Sequence, residues 1–186
     1  MYTFSKRNLL MTELIEALIL TGLIFFSLHL SIQNYKIEGS SMDPTLKESE
    51  CVIASKISYT NINNNFLFSS PGSGDIVIFE YPEDRSRHFV KRIIGKPGDT
   101  IQMENGTVYI NGSVLDEPYV LNQGSTDYLP SLIKKNEYFV LGDNRIASND
   151  SRSWGTIQNE HLIGKYVFRY NFPMCSIIRY KNNEIQ

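Results

Sequence analysis

The chain has 186 residues, 41% of them hydrophobic, and its 18 Lys and Arg nearly balance 20 Asp and Glu for a formal net charge of −2. Such a balance excludes the strongly basic face on which nucleic-acid binding rests, so no nucleic-acid partner is expected. It also excludes a polybasic membrane patch, which leaves attachment to apolar residues; with about 20 residues set aside for an anchor, the rest suits one well-buried domain.

Residues 1–13 form a short N-terminal stretch carrying Lys6 and Arg7, followed by Leu14–Ile32, LIEALILTGLIFFSLHLSI. As a helix this run just spans a hydrocarbon core of about 30 Å, with Glu16 and His29 near its two ends. Only Lys36 follows it closely, so the positive-inside rule puts the N-terminus in the cytoplasm and the rest outside the cell membrane. A cleaved signal peptide would have a shorter apolar core and a small-x-small site, and Gln33-Asn34-Tyr35 offers none. A buried soluble helix would show a polar stripe.

Residues 33–180 read as an extracytoplasmic β domain. Cys51–Ile57, Asp75–Tyr81, Phe89–Ile94, Thr100–Met103, Thr107–Ile110, Tyr138–Leu141 and Lys165–Tyr170 carry β-branched and aromatic enrichment. Asn105-Gly106 and Asn111-Gly112 are tight-turn signals, and the first predicts a hairpin. Tyr166, Phe168 and Tyr170 alternate with Lys165, Val167 and Arg169. Asn61–Gly74 reads as a surface loop whose Phe66-Leu67-Phe68 packs locally or dips into lipid. Asn122–Ser131 reads as a second loop, Thr156–Leu162 as a short helix, and 181–186 as a frayed tail. The expected fold is mainly β, a compact domain of several small antiparallel sheets behind one transmembrane helix.

The two cysteines, Cys51 and Cys175, form no Cys-x-x-Cys pair, so a zinc site is not expected. Cys51, in the run Cys51-Val52-Ile53-Ala54, reads as a core residue, and its pairing with Cys175 stays open. His29, His88 and His161 are far apart; His88 and His161 read as surface positions, and neither metal nor cofactor is expected.

Three segments carry candidate chemistry. Ser41 lies in Gly39-Ser40-Ser41-Met42-Asp43-Pro44-Thr45. Gly39 permits an unusual backbone angle, while Pro44 fixes its own φ and biases Asp43 toward extended geometry, which would hold Ser41 on a rigid bend. Otherwise the stretch is a plain turn. Lys91 lies in Phe89-Val90-Lys91-Arg92-Ile93-Ile94, where alternation gives it the face of Phe89 and Ile93 and turns Arg92 the other way. A lysine among apolar side chains loses charge stabilisation, its pKa falls, and its amine can activate a serine; otherwise it snorkels from a strand edge. In Gly142-Asp143-Asn144-Arg145-Ile146-Ala147-Ser148-Asn149-Asp150-Ser151-Arg152, Asp150 and Arg152 suit a bidentate pair and Ser148 could orient a neutral amine. Without those roles the segment is a solvated loop.

Ser-Met-x-Pro-Thr, Lys-Arg-x-x-Gly-x-Pro-Gly-Asp and Gly-Asp-Asn-Arg-x-x-Ser-x-Asp-Ser-Arg, in this order with Gly74-Asp75-Ile76-Val77-Ile78-Phe79, resemble the boxes of bacterial type I signal peptidases. The resemblance runs from the anchor to about residue 170, and the single anchor with a compact domain resembles the smaller Gram-positive-type members. It implies that Ser41 is the acylated nucleophile and Lys91 the general base. It further implies that Ser148 hydrogen-bonds the Lys91 amine, that Asp150 and Arg152 form a supporting ion pair, and that Asp143 and Arg145 help hold the segment. Ile37, Met42 and Val90 match positions lining shallow pockets for the small −1 and −3 residues of a signal peptide, which would pair by its backbone beside Ile37–Ser40, including Gly39, and His88–Val90, including Phe89. The implied partners are signal peptides of exported preproteins, the bilayer and the secretion translocon. Some members have a serine where this chain has Gly39, so the second oxyanion donor is unassigned. A Ser-Lys self-cleaving regulator would need a DNA-binding or polymerase-partner domain in place of the anchor. A specialised or non-catalytic paralogue in surface-structure assembly, and a tethered β binding module, are two more roles that such a chain could serve.

Overall fold

The structure, a computed structural model, describes residues 6–62, 65–170 and 184–185. It opens on helix α1 (Lys6–Ser31). Within α1, Leu10–Ser31 has a mean hydropathy of 1.9 and no residue buried against the rest of the chain; its 22 residues span about 33 Å at 1.5 Å each, enough to cross a membrane. The helix starts before Leu14, the expected first anchor residue, and it stops before Ile32. Ser31, at the helix end, offers a carbonyl that has no partner within the helix. That carbonyl accepts the Lys56 N–H at 2.8 Å, so Ile32 already starts a strand paired with Ser55.

The strands that follow are β1 (Ile32–Ile37), β2 (Cys51–Ser55), β3 (Ile76–Tyr81), β4 (Asp84–Gly95), β5 (Thr100–Glu104), β6 (Thr107–Ile110), β7 (Tyr128–Leu132), β8 (Glu137–Leu141) and β9 (Leu162–Tyr170). The one-turn helix α2 (Ser151–Trp154) lies between β8 and β9. The fold is mainly β, as the strand pattern predicts, but its largest sheet is a single eight-stranded one whose pairings close into a ring. Around the ring run β4, the two residues Glu184–Ile185, β1, β2, β9, β3 and β4 again, while β8 attaches outside along β4. A second sheet is built from β7, β5, β6 and Ser113–Val114. Its β5–β6 hairpin turns at Asn105-Gly106, both at positive φ, as that dipeptide predicts.

Several segments correct the sequence-based expectation. The expected 122–131 loop becomes strand β7 from Tyr128 on, and 156–162 is a two-residue strand plus a single 3-10 turn, Asn159–His161. The alternation along 165–170 is broken where the β9 register shifts between Tyr166 and Phe168; the bulge leaves both Val167 and Phe168 about half exposed. In the 61–74 segment Phe66 packs against the core, but Leu67 and Phe68 are exposed. His88 is half-buried and His161 buried. Glu184–Ile185 is paired strand rather than frayed tail. Cys51 is buried and disulfide-bonded; Cys175 lies outside the described residues, as do 181–183 and 186.

Strand β4 organises the interior because its side chains enter three cores. Val90 joins Tyr35, Ile37, Met42, Leu46, Val52 and Ile78. Phe89 and Ile93 join Val77, Phe79, Val140 and Ile157, and Ile94 ties β8 to the smaller sheet through Ile101, Met103 and Phe139. Phe79 is fully buried, with ring contacts to Phe89 and Trp154. Phe79→Ala should therefore cost about 3–5 kcal/mol, measured by urea unfolding of the detergent-solubilised chain; a loss under about 1 kcal/mol, the range of a well-tolerated core swap, would contradict this packing.

Candidate active site

Ser41 follows β1 across a bend. Gly39 sits at φ +83°, a conformation that side chains with a Cβ rarely adopt. Turns closed by Asp43 N–H to the Ser40 carbonyl (3.1 Å) and Leu46 N–H to the Met42 carbonyl (2.9 Å) follow. Met42 and Leu46 are buried and anchor the bend. From the other side, Asn144 clamps the same backbone: its N–H donates to the Ser41 carbonyl at 3.0 Å and its Nδ2 to the Ser40 carbonyl at 3.1 Å.

Lys91 reaches this bend from β4. It is 1% exposed, and its Nζ lies 2.9 Å from Ser41 Oγ and 2.9 Å from the Val90 carbonyl. Its Nζ stands 5.2 Å from the centre of the Phe89 ring, which puts it on the face that strand alternation assigns. Burial pulls its pKa down to about 8 against the weaker opposing pull of Asp150 and Asp143. The amine therefore sheds its proton near neutrality, and a neutral amine can accept the Ser41 hydroxyl proton while donating to the Val90 carbonyl.

The 142–152 segment is not a solvated loop. Arg152 holds Asp150 through Nε–Oδ1 at 2.7 Å and Nη2–Oδ2 at 2.9 Å. Arg152 also donates to the Arg145 carbonyl at 2.6 Å and the Ser148 carbonyl at 3.3 Å. Asp150, fully buried, accepts the Gly142 N–H at 3.0 Å as well. Asp143 and Arg145 take partners that the sequence pattern does not single out. Arg92 grips Asp143 with Nε–Oδ1 at 2.8 Å and Nη2–Oδ2 at 2.6 Å, Thr45 adds a 2.5 Å bond to Oδ2, and Arg145 forms a buried ion pair with Glu117. The signal for Arg92 is its turn away from the Lys91 face; Glu117 sits in a stretch with no pattern to single it out.

Two contacts correct the expected site. Ser148 Oγ is buried with no hydrogen bond, so it is not bonded to the Lys91 amine. It packs against Gly142, where an added Cβ would lie 2.3 Å from Ser148 Oγ and 2.5 Å from the Ser41 carbonyl. Ile37, Met42 and Val90, at 2%, 1% and 1% exposure, belong to the core and do not wall the cleft at Ser41 and Lys91. The open cleft, about 230 Å³, is walled instead by Glu38, Gly39, Ser40, Ser41, Arg87, Phe89, Lys91, Ala147 and Asn149.

Comparison with known proteins finds relatives of this chain. The family described as "Signal peptidase, peptidase S26" matches residues 11–171. Signal peptidase IB of Staphylococcus aureus (strain Mu50) is 34% identical over 180 residues, covering 85% of this chain and 90% of the relative. Probable signal peptidase I-2 of Synechocystis sp. is 40% identical over 140 residues, covering 72% of this chain and 61% of the relative. A crystal structure of a signal peptidase I from Enterococcus faecalis V583 aligns at a TM-score of 0.49 and 32% identity, covering 53% of this chain and 98% of that one.

Arg145 and Glu117 are side chains with 0% and 1% exposure, so losing one partner strands the other's charge. Arg145→Ala should destabilise the chain by about 3–5 kcal/mol in urea unfolding, and a change below about 1 kcal/mol, typical of an exposed pair, would contradict the buried pairing.

Proposed function

This chain belongs to the signal peptidase family, peptidase S26, and we propose that Ser41 and Lys91 are the nucleophile and general base of this membrane-anchored serine endopeptidase, which removes signal peptides from preproteins. The observation that carries the assignment is the 2.9 Å contact between Lys91 Nζ and Ser41 Oγ, made by a lysine 1% exposed. A serine hydroxyl needs an adjacent base, and a desolvated lysine supplies one near neutral pH.

In the reaction, neutral Lys91 takes the Ser41 proton as Oγ attacks the carbonyl carbon of the small −1 residue. The tetrahedral intermediate carries its negative charge on the former carbonyl oxygen, beside the Ser41 N–H. Protonated Lys91 passes its proton to the leaving amine, the peptide C–N bond breaks, and an ester on Ser41 remains. Lys91 then draws a proton from water, the resulting hydroxide attacks the ester, and the Ser41 Oγ regains its proton as the signal peptide leaves. Gly39 offers no hydroxyl, so the Ser41 N–H is the one oxyanion donor assigned here.

Burial lowers the pKa of the base, and the surrounding ion pairs temper the opposing pull. Asp150 and Asp143 would each favour a charged Lys91, but bidentate pairing to Arg152 and Arg92 offsets their charge. Ser148, whose buried Oγ makes no hydrogen bond, is a positioning residue that packs beside Gly142 and the Ser41 carbonyl. The helix α1 holds the cleft at the bilayer, which raises the effective concentration of membrane-bound substrate. Its flanking charges support an N-terminus in the cytoplasm and a cleft outside the cell membrane, where preproteins emerge from the secretion translocon.

Ser41→Ala and Lys91→Ala should each abolish cleavage of a purified preprotein while leaving the circular dichroism spectrum unchanged; full cleavage by either variant would sink the dyad. Because only the neutral amine is a base, kcat/KM should rise with pH through a single deprotonation near the Lys91 value of about 8. Arg152→Ala leaves Asp150 unneutralised, which favours the lysine's charge, so the profile should move to higher pH and activity at pH 8 should drop. An unmoved profile in a folded Arg152→Ala chain would remove the arginine from the mechanism.

A further inference from the structure

Strand β4 and the residues that directly follow β1 both wall the cleft, yet β1 and β4 do not pair with each other. The gap between them is bridged by Glu184–Ile185, which runs parallel to both: Lys36 faces Glu184, Ile37 faces Ile185, and Ile185 faces His88. The Glu38 N–H donates to the Ile185 carbonyl at 2.8 Å. Ile185 is fully buried, in one cluster with Tyr35, Ile37, Met42 and Val90.

The direction and register of this segment matter more than its length. On the same edge of β4, pairing with Ile185 falls at His88 and pairing with β8 begins at Arg92. Between those two points β4 borders the cleft, to which it contributes Phe89 and Lys91. Three residues on from Ile37 and His88 stand Ser40 and Lys91. A strand continuing past Ile185 in the same sense therefore enters the cleft walled by Glu38, Gly39, Phe89 and Lys91 and arrives at Ser41. Strand edges that border a cleft bind extended peptide through backbone hydrogen bonds, with pockets for alternate side chains. Ile185 lies on this strand edge, and its side chain belongs to the same buried cluster as Ile37, Met42 and Val90.

We propose that Glu184–Ile185 is an internal competitor for the substrate strand, holding the entry half of the peptide slot until a signal peptide displaces it. The inference rests on reading Ser41 and Lys91 as a peptidase dyad. Two paired residues make few hydrogen bonds, and an extended substrate pairs along the slot and on through the cleft, so the longer peptide wins the exchange. Occupancy of the slot lowers the competent fraction and raises apparent KM by its reciprocal; a slot filled nine-tenths of the time raises it about tenfold. The chemistry, once the peptide is seated, is unaffected.

The test compares the full chain with one shortened to end at Asn183, both in detergent, on a peptide with small residues at −1 and −3. The shortened chain should show a KM several-fold lower at an unchanged kcat, and the synthetic hexapeptide Lys-Asn-Asn-Glu-Ile-Gln should compete with substrate on it. Equal KM values with no competition would overturn the proposal. Because Ile185 is a core residue, a second measurement leaves the segment in place. In the full-length Ser41→Ala chain, hydrogen exchange at the Ile185 amide should accelerate when an uncleaved signal peptide is added, while the Glu38 amide stays protected. Binding of that peptide with Ile185 protection unchanged would overturn the proposal as well. If neither intact form cleaves any peptide, the peptidase reading fails, and the exchange experiment still decides whether the segment and the peptide share one slot.

Discussion

Burying an amine between a hydroxyl and a backbone carbonyl is the constraint around which this domain is arranged. Lys91 is almost wholly shielded from water, and a fully buried ammonium is unstable unless paired. The Ser41 hydroxyl and the Val90 carbonyl beside its Nζ suit a neutral amine. Two carboxylates, Asp150 and Asp143, are near enough to favour its charge, and each is gripped by an arginine with two bonds. The ion pairs thus keep negative charge from the lysine as well as tying loops together.

The same pairs connect elements far apart in the chain. Arg92 lies next to Lys91 but on the opposite face of β4, so a single strand delivers the base to one side and a clamp for Asp143 to the other. Asp143 in turn holds Thr45, four residues beyond Ser41, and the adjacent Asn144 holds the Ser40 and Ser41 carbonyls. Gly142 allows these backbones to meet, since a Cβ there would overlap both Ser148 and the Ser41 carbonyl. The geometry of the dyad therefore depends on β4, the bend after β1 and the 142–152 segment together. Arg145 with Glu117 secures the far side of that segment from within the core.

Closure of the large sheet adds a second role for β1 and β4. They carry the bend and the base, and they also leave a slot between them, which a two-residue strand of the same chain fills in parallel with both. In that slot Ile185 shares one buried cluster with the expected pocket residues Ile37, Met42 and Val90. A site open along its whole length would expose these apolar side chains to water, at a cost of roughly 25 cal/mol for each Å² uncovered.

Local features are legible in the amino-acid sequence: an apolar helix long enough to span a bilayer, most strand positions, the Asn-Gly hairpin turn, and a serine, a lysine and a polar segment as chemistry-bearing groups. They are legible because helix length, alternation and turn residues are short-range properties. The opposite facing of Lys91 and Arg92 belongs with them, since it follows from the strand period alone. Which groups meet across the chain is a matter of folding in three dimensions: Arg92 and Thr45 hold Asp143, Glu117 receives Arg145, Asn144 pins the serine backbone, and Ser148 Oγ packs against Gly142 instead of bonding the amine. Folding likewise takes Ile32 from the helix into the sheet and brings Glu184–Ile185 in to close the ring. The physical reason is that burial and ion pairing depend on distances between residues far apart in the chain, and no local pattern encodes those distances.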